Sequence, residues 1–544
     1  MGFLELPTRS TSLILLLIAL IAWRTSSYYA YKRKSRGFPL PPGPQGEPIL
    51  GHLRVIPASN PEYYYQQLSK ELGSDILSFN VLGQPVIVLN SVETAVDLLD
   101  KRGANNCDRP RFVLFEEMGW RGTLTFLQWG PRFRTHRRVL QKSFQKSNIT
   151  QYRSLQERET RVLIEGILKT PEKWETVMRR FATAIVLGIG FGIHIENDRD
   201  PYIKMSVDAS YALGHGGAPA GTLVDFFPFV AKLPTWFVPD WSLKFARDWR
   251  WAIRQIHDVP FANVETQIGQ GCAEPSLINT LLVERRIKME RGEPVEMTIE
   301  DIKGAAGAVY AAGQDTTWST LVVFVLNMLL HPEVQKKAQK LIDEVIEPGY
   351  LPTFADRPKL QYIDYIVQET LRWCPVSPLG VPHKSIEDDF YNGCFIPKGS
   401  LVYANARAMT HDERVYSSPN KFNPDRYVSR SAGGLGEPLP KGHFGFGRRI
   451  CVGQHLAEAS VWIVVASLLS TTTLDRWTDP ETGVQDFPIM EWAEVLADKV
   501  EHFTVCMVFS HNRPFSLTAQ VTGADFTSWY KTPGGKAGRW SLVA

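Results

Sequence analysis

One large globular unit with a long helix crossing its core is the architecture the sequence predicts, and three observations carry that prediction. Of 544 residues, 44% are hydrophobic and 22% charged, which is ordinary globular material with ample core. Length alone would divide such a chain into two to four domains, yet after residue 50 no obvious linker and no internal repeat interrupts it. From Thr298 onward, apolar residues continue to Leu330 before His331-Pro332 stops them. The net charge of +3 is too small to imply a nucleic-acid partner. Six cysteines (107, 272, 374, 394, 451 and 506) lack paired spacing, which fits neither a disulfide scaffold nor a zinc site and points to a reducing compartment. Asn148-Ile149-Thr150 matches a glycosylation acceptor but would stay unmodified on a cytosolic domain.

The N-terminus differs in kind. Leu13 to Trp23 is an unbroken apolar run that, with the mixed segment before it, approaches the roughly 20 residues that span a bilayer. Lys32, Arg33, Lys34 and Arg36 follow, a flank that stays cytoplasmic under the positive-inside rule. Residues 1–36 are therefore expected to be a membrane anchor with its basic flank. A cleaved secretory signal is the competing reading; the position of the charges and the loose match of Thr25-Ser26-Ser27 to a cleavage site weigh against it. Residues 37–50 contain Pro39-Leu40-Pro41-Pro42-Gly43-Pro44, a stiff hinge expected to hold the body at a set distance and angle. Residues 51–520 form the expected globular domain, and 521–544 an atypical polar, Gly-rich tail.

Thr298 and Asp301 read as a capping box opening a helix of about 30 residues. Its middle is Ala311-Ala312-Gly313-Gln314-Asp315-Thr316-Thr317. Gly313 weakens the helix there, and a helix crossing with Thr316 bonded back to a carbonyl would explain part of the pattern. It leaves Asp315 in an apolar helix without a reason. Farther on, Glu369 and Arg372 share a helix face at i, i+3, and Phe422-Asn423-Pro424-Asp425-Arg426-Tyr427 follows.

The most informative stretch is Phe444-Gly445-Phe446-Gly447-Arg448-Arg449-Ile450-Cys451-Val452-Gly453. The run from Gln454 to Ala466 lacks Gly and Pro, so Cys451 sits just before a helix N-terminus, whose unpaired N–H groups favour a thiolate. Gly445, Gly447 and Gly453 permit a left-handed or crowded backbone against a flat cofactor. Arg449 can reach a carboxylate at the cofactor's rim. A buried core cysteine is the bland alternative.

Phe444, Gly447, Arg449, Cys451 and Gly453 together match Phe-x-x-Gly-x-Arg-x-Cys-x-Gly, and this resembles the haem-binding loop of the cytochrome P-450 superfamily. Five motifs occur in family order over roughly residues 35 to 470, most like microsomal members of fungal type. The resemblance implies a mainly α fold with a small β-rich region near the N-terminal third, and haem b between a long distal helix and the cysteine loop. Cys451 becomes the iron ligand, with Phe444, Gly447 and Gly453 shaping its loop. The Ala/Gly-Gly-x-Asp/Glu-Thr-Thr motif gives Thr316 a hydrogen bond toward dioxygen and Asp315 a proton relay from solvent. Glu369, Arg372 and Arg426 become a buried structural network. Arg449, Arg137 in Gly130-Pro131-Arg132-Phe133-Arg134-Thr135-His136-Arg137-Arg138, and His383 become contacts to the haem propionates, with Phe133 standing where the family usually has Trp. That basic helix also reads as a docking face for an acidic partner.

The implied pocket is lined by residues 111–127, the helix around Ala308 and Ala312, and residues 376–381; Phe112, Leu114, Phe115, Trp120, Val376, Leu379 and Val381 make it apolar, which suits a lipophilic substrate. Phe226-Phe227-Pro228-Phe229, Trp236-Phe237-Val238-Pro239 and Trp241 form an aromatic group that either faces the bilayer or belongs to the core. No flavin or dinucleotide fingerprint is evident, so electrons are expected from a membrane-bound NADPH reductase carrying FAD and FMN, with cytochrome b5 as a further candidate partner. The expected activity is insertion of one atom of dioxygen into a lipophilic molecule, in secondary or xenobiotic metabolism, at the endoplasmic reticulum membrane. The alternatives are a haem-thiolate isomerase or dehydratase without a reductase, and a non-catalytic relative. After Ser470 the resemblance is expected to decay.

Overall fold

The computed structural model describes residues 31–476 apart from 238 and 239, together with Ser26, Tyr29 and strand 505–509. The expected apolar anchor at 13–23, most of the segment from 483 to 508 and the tail at 521–544 lie outside the described residues. Among the described residues no single helix is long and apolar enough to cross a membrane.

The principal helices are α1 (Pro131–Phe144), α2 (Arg153–Lys169), α3 (Trp174–Phe191), α4 (Pro201–His215), α5 (Arg250–Gln270), α6 (Ile299–Leu330), α7 (Pro332–Val345), α8 (Gln361–Trp373) and α9 (Gln454–Thr471). Their arrangement follows from two helices that are apolar all round, which must be wrapped by others to be stable. In α6 buried side chains cover every face, and in α9 the burial is continuous from Ala459 to Thr471. The other helices pack around this pair: α6 lies against α3, α4, α5 and α8, and α9 joins α6 to α2, α7 and α8. The predicted capping box is present, with Asp301 N–H donating to Thr298 Oγ1 (3.1 Å) and Thr298 N–H donating back to Asp301 Oδ2 (3.0 Å). His331 ends α6, and Pro332 starts α7 after a 103° turn, because Pro fits the first helical turn but not the interior.

The β-rich region is a four-stranded sheet in the order β1 (Ile76–Val81), β2 (Gln84–Leu89), β6 (Leu401–Ala404), β3 (His383–Lys384), with two small hairpins, β4–β5 (Asp389–Tyr391, Cys394–Ile396) and β7–β8 (Thr472–Arg476, Val505–Phe509). The sheet is not confined to the N-terminal third. β2 pairs in parallel with β6, Val86 opposite Leu401, and a parallel partner needs a crossover; here the crossover contains most of the helices. The proline segment is hydrogen-bonded to β1 and to the β4–β5 hairpin: Ser78 N–H donates to the Pro42 carbonyl (2.8 Å) and Phe395 N–H to the Pro39 carbonyl (2.7 Å).

Candidate functional site

The cysteine loop is folded back on itself by a hydrogen bond from Cys451 N–H to the Phe444 carbonyl (2.8 Å). Gly445 (φ +76°) and Gly447 (φ +55°) occupy the left-handed region, and a Cβ at Gly447 would stand 2.0 Å from the Leu99 carbonyl oxygen. Leu99 belongs to a single π-helical turn, Val96–Lys101, so the loop is seated on an irregular element from the other end of the chain. Gly453 has an ordinary φ of −87°, and the nearest atom to a Cβ there is Cys451 Sγ at 4.0 Å. Its value is the open approach to sulfur, not the left-handed or crowded backbone expected of it.

Cys451 opens onto a cavity of ≈ 380 Å³. Burial pushes its thiol pKa up, opposed by the backbone N–H groups of Gly453 and Gln454 and by Arg137. The helix terminus read from the sequence is therefore in place and the cation acting on the sulfur is Arg137, not the loop's own Arg449, but in the protein alone they do not outweigh desolvation. An electropositive metal ion at the sulfur would reverse the balance, since a coordinating thiol is deprotonated.

Three guanidinium groups line the same cavity, that of Arg109 buried and those of Arg137 and Arg449 partly so. Arg449 Nε donates to the Cys107 carbonyl (2.8 Å) and its plane lies 3.6 Å from the Phe133 ring centre, while both Nη atoms are buried without a partner. Arg109, which sequence reading missed, donates from Nη1 to the Val381 carbonyl and leaves Nε unpaired. Arg137 donates to the Ile450 carbonyl (2.6 Å), beside the cysteine. Burial pushes Arg449 down to about 10, and burial with the repulsion of Arg449 takes Arg109 well below its ordinary value. Buried His383, also on the cavity, bonds through Nδ1 to the Asn106 carbonyl (2.8 Å); burial and Arg109 keep it neutral. Buried cations with unpaired donors call for anions.

On the facing wall α6 contributes Ala308, Ala312, Gly313, Thr316, Thr317 and Thr320. Thr316 Oγ1 donates back to the Ala312 carbonyl (2.8 Å) and faces the cavity. Asp315 points elsewhere: it lies 3.7 Å from Arg179 of α3, whose guanidinium stacks 3.5 Å over the ring centre of Trp318. Val376, Leu379 and Val381 line the cavity as expected, as does Leu124 of the expected segment 111–127, with Ala182, Ile185 and Val186 of α3 added. Phe112, Leu114, Phe115 and Trp120 do not; they are core residues, and Phe112, Phe115 and Trp120 pack around Phe126. Apolar character in that segment does not say which side it faces.

Beneath the loop, Glu369, Arg372 and Arg426 meet with no solvent exposure to speak of. Arg372 donates to both Glu369 oxygens (2.8 and 2.9 Å), as does Arg426 Nε (3.0 and 3.1 Å). Tyr427 O–H and Asn423 N–H complete the carboxylate at 2.8 Å each, and Glu437 takes the far side of Arg426. Glu437 was not read from the sequence, because no spacing rule ties it to the others.

A family model described as Cytochrome P450 matches residues 41–497 of 544. The chain belongs to the cytochrome P450 family. The match runs past Ser470, so the family likeness does not decay where expected. Cytochrome P450 monooxygenase 136 of Postia placenta is 34% identical over 94% of each chain. Cytochrome P450 monooxygenase 98 of the same fungus is 36% identical over 88% of this chain and 91% of its own, and Tryptamine 4-monooxygenase of Psilocybe cyanescens is 34% identical over 88% and 94%. This P450 is accordingly a monooxygenase of the haem-dependent type. The residues present fit haem: an open thiol on one face, an alcohol-bearing helix on the other, and unpaired guanidinium donors at the edge suited to two carboxylates. Arg449, Arg109, Arg137 and His383 are the groups that would hold it.

Proposed function

We propose that this P450 hydroxylates, or otherwise oxidises by one oxygen atom, a lipophilic small molecule, with electrons from NADPH through a reductase carrying FAD and FMN, at the endoplasmic reticulum membrane and in secondary or xenobiotic metabolism. The observation that carries the substrate class is the wall of Leu124, Ala182, Ile185, Val186, Ala308 and Val376 facing Cys451. Haem, which Cys451 would hold as a thiolate ligand, would supply the activation of dioxygen. The chain's own residues exclude water and handle the proton. Thr316 holds a hydroxyl at the cavity face of α6, and Asp315, one residue back, holds a carboxylate on the side of α3. A proton reaching Thr316 from Asp315 requires the carboxylate to leave Arg179 and turn about the helix. This acid and alcohol favour oxygen insertion over isomerase or dehydratase chemistry, which needs no proton delivered to dioxygen.

Support for a membrane-facing surface comes from the aromatic group after α4. Phe227, Phe229, Phe237 and Trp241 are exposed and Trp236 is 84% exposed, which argues against the core reading. Amphipathic aromatics of this kind suit a headgroup interface. The docking role of the basic helix is narrowed, since Arg132 is committed to Asp301 and Arg138 to Glu296; cytochrome b5 stays an expected partner on family grounds alone.

The test is a reduced CO difference spectrum on expressed membranes, followed by NADPH oxidation with added reductase and a panel of lipophilic compounds. A red-shifted Soret band with reductase-dependent product supports the reading. A band at the unshifted position, or product formed without NADPH, overturns it.

A further inference from the structure

Asp301 does two jobs with its two oxygens. Oδ2 closes the capping box, accepting from Thr298 N–H (3.0 Å) and Thr298 Oγ1 (2.7 Å). Oδ1 turns the other way and accepts from two side chains of α1: Arg132 Nε at 2.6 Å and His136 Nε2 at 3.0 Å. Asp301 and His136 are buried. Burial pushes the Asp301 carboxyl up, but hydrogen bonds from Thr298, His136 and Arg132 outweigh it and hold the group well below the usual carboxylate range. Burial lowers the His136 pKa, so the ring is neutral and carries its proton on Nε2; Nδ1 is buried without a partner. Capping alone uses one oxygen and explains neither Arg132 nor His136.

The α1 face next to this contact carries Phe133, Arg137, Leu140 and Phe144, all on the cavity. Arg137 follows His136 directly and reaches the Ile450 carbonyl beside Cys451. A continuous chain of hydrogen bonds and helix backbone thus runs from the first turn of α6 through Asp301 and α1 to the cysteine loop. Arg138 adds a parallel tie to Glu296 (3.2 Å), just before the cap.

We infer that Asp301 is a positioning residue that sets the rotation and depth of α1, and through it the placement of Arg137 against the cofactor and the cysteine loop. This rests on the reading of Arg137 as a cofactor contact. A helix held at its N-terminal half by a buried carboxylate cannot slide without breaking two charge-assisted bonds, each stronger than a neutral one. Such supporting partners of a cofactor ligand act through the ligand they hold.

The test is carried out on the haem-loaded, membrane-bound protein with four variants: Asp301→Asn, Thr298→Ala, Arg137→Ala, and the Asp301→Asn/Arg137→Ala double. Two quantities are read, the thermal midpoint of unfolding and the rate of haem transfer to an excess of apomyoglobin. Both Asp301→Asn and Thr298→Ala lower the midpoint, because both damage the cap. Only Asp301→Asn is expected to speed haem transfer, by about tenfold, and in the Arg137→Ala background it adds less than about twofold, because the two act in series. Equal transfer rates for Asp301→Asn and Thr298→Ala, or effects that multiply in the double variant, overturn the inference. If Arg137→Ala leaves transfer unchanged, the reading of Arg137 itself is what fails. Should Asp301→Asn not accumulate, His136→Leu leaves the cap intact; faster transfer supports the inference and an unchanged rate overturns it.

Discussion

The floor beneath the cysteine loop and the rim of the cavity above it both bury arginines, and they treat them in opposite ways. At the floor, Glu369 receives from Arg372, Arg426, Tyr427 and the Asn423 backbone, and Arg426 finds a second carboxylate in Glu437. At the rim, Arg449 keeps two buried nitrogens unpaired and Arg109 keeps one. A charge network that completes itself is architecture; one left incomplete is shaped for a ligand that brings the missing charge. Within this site the contrast sets Arg372 and Arg426 apart from Arg449 and Arg109 without reference to any motif.

The largest expected effect breaks the floor. Glu369→Ala leaves Arg372 and Arg426 facing each other with no solvent access, at a cost on the order of 3–5 kcal/mol, a large share of the stability of an ordinary protein. Little haem-containing protein should accumulate, measured as the red-shifted CO band per milligram of expressed chain. Normal haem content in that variant would remove the distinction between floor and rim.

Acid attacks the floor next. His411 donates from Nδ1 to the Arg407 carbonyl, and its bare Nε2 faces the Arg407 guanidinium. Burial, with Arg407 and Arg372 nearby, pushes its pKa down to about 2. The sign follows: an unfolded histidine takes up a proton near its ordinary value of about 6.5 while the folded one refuses it, so stability is intact above that pH and falls as pH drops toward 2. The slope from this group is at most about 1.4 kcal/mol per pH unit. Urea unfolding of wild type at pH 7, 6 and 5 should show the decline, and His411→Asn, which keeps an acceptor without a titrating proton, should flatten it. An unchanged slope would place the acid sensitivity elsewhere, among His257 and His443, both pushed down to about 4 by burial, and His136, His331 and His383, which burial also lowers.

The rim should respond with the opposite sign. Arg449→Met exchanges a guanidinium with two unpaired nitrogens for an apolar chain of similar reach, and such exchanges are often neutral or stabilising. Haem-depleted protein should therefore unfold within about 1 kcal/mol of wild type or above it, while haem transfer from the loaded protein speeds by about tenfold. A variant that destabilises the haem-free chain as Glu369→Ala does would make Arg449 part of the architecture and collapse the comparison.

The two regions also differ in how much of them could be read in advance. The cysteine loop, the capping box and the stop at His331-Pro332 are local, each decided by a few neighbouring residues, and all are present. Glu369 and Arg372 are one helical turn apart, but Arg426 meets them from 57 residues away, so only the family pattern joined them. Arg109 and Glu437 carried no local signal, because what distinguishes them is the pairing, or lack of it, that folding creates. Phe112, Leu114, Phe115 and Trp120 were assigned to the cavity because the family's pocket segment covers them, and neither that nor their polarity tells core from pocket residue by residue. The sheet was misplaced for a related reason: half of it comes from residues 383–404, and a two- to four-residue strand completed by a distant partner has little periodicity of its own.

The smallest effect on stability is expected on the wall opposite the cysteine, where Thr316 hangs its hydroxyl on the Ala312 carbonyl of its own helix. That bond is local, and Ala is the better helix former, so Thr316→Ala should change the unfolding free energy by less than about 1 kcal/mol. Haem content and the position of the CO band should stay as in wild type, since Thr316 reaches neither the floor nor the guanidinium rim. What should change is the yield of product per electron consumed, because the cavity face of α6 loses the hydroxyl next in sequence to Asp315. Thr316→Ser restores that hydroxyl without the methyl group and should recover most of the yield. If Thr316→Ala keeps full yield, the proton does not pass this residue and Asp315 is left as half of a structural pair with Arg179. If instead it loses haem, the wall belongs with the floor as architecture, and the division between residues that complete one another and residues that wait for a ligand would have to be redrawn along α6.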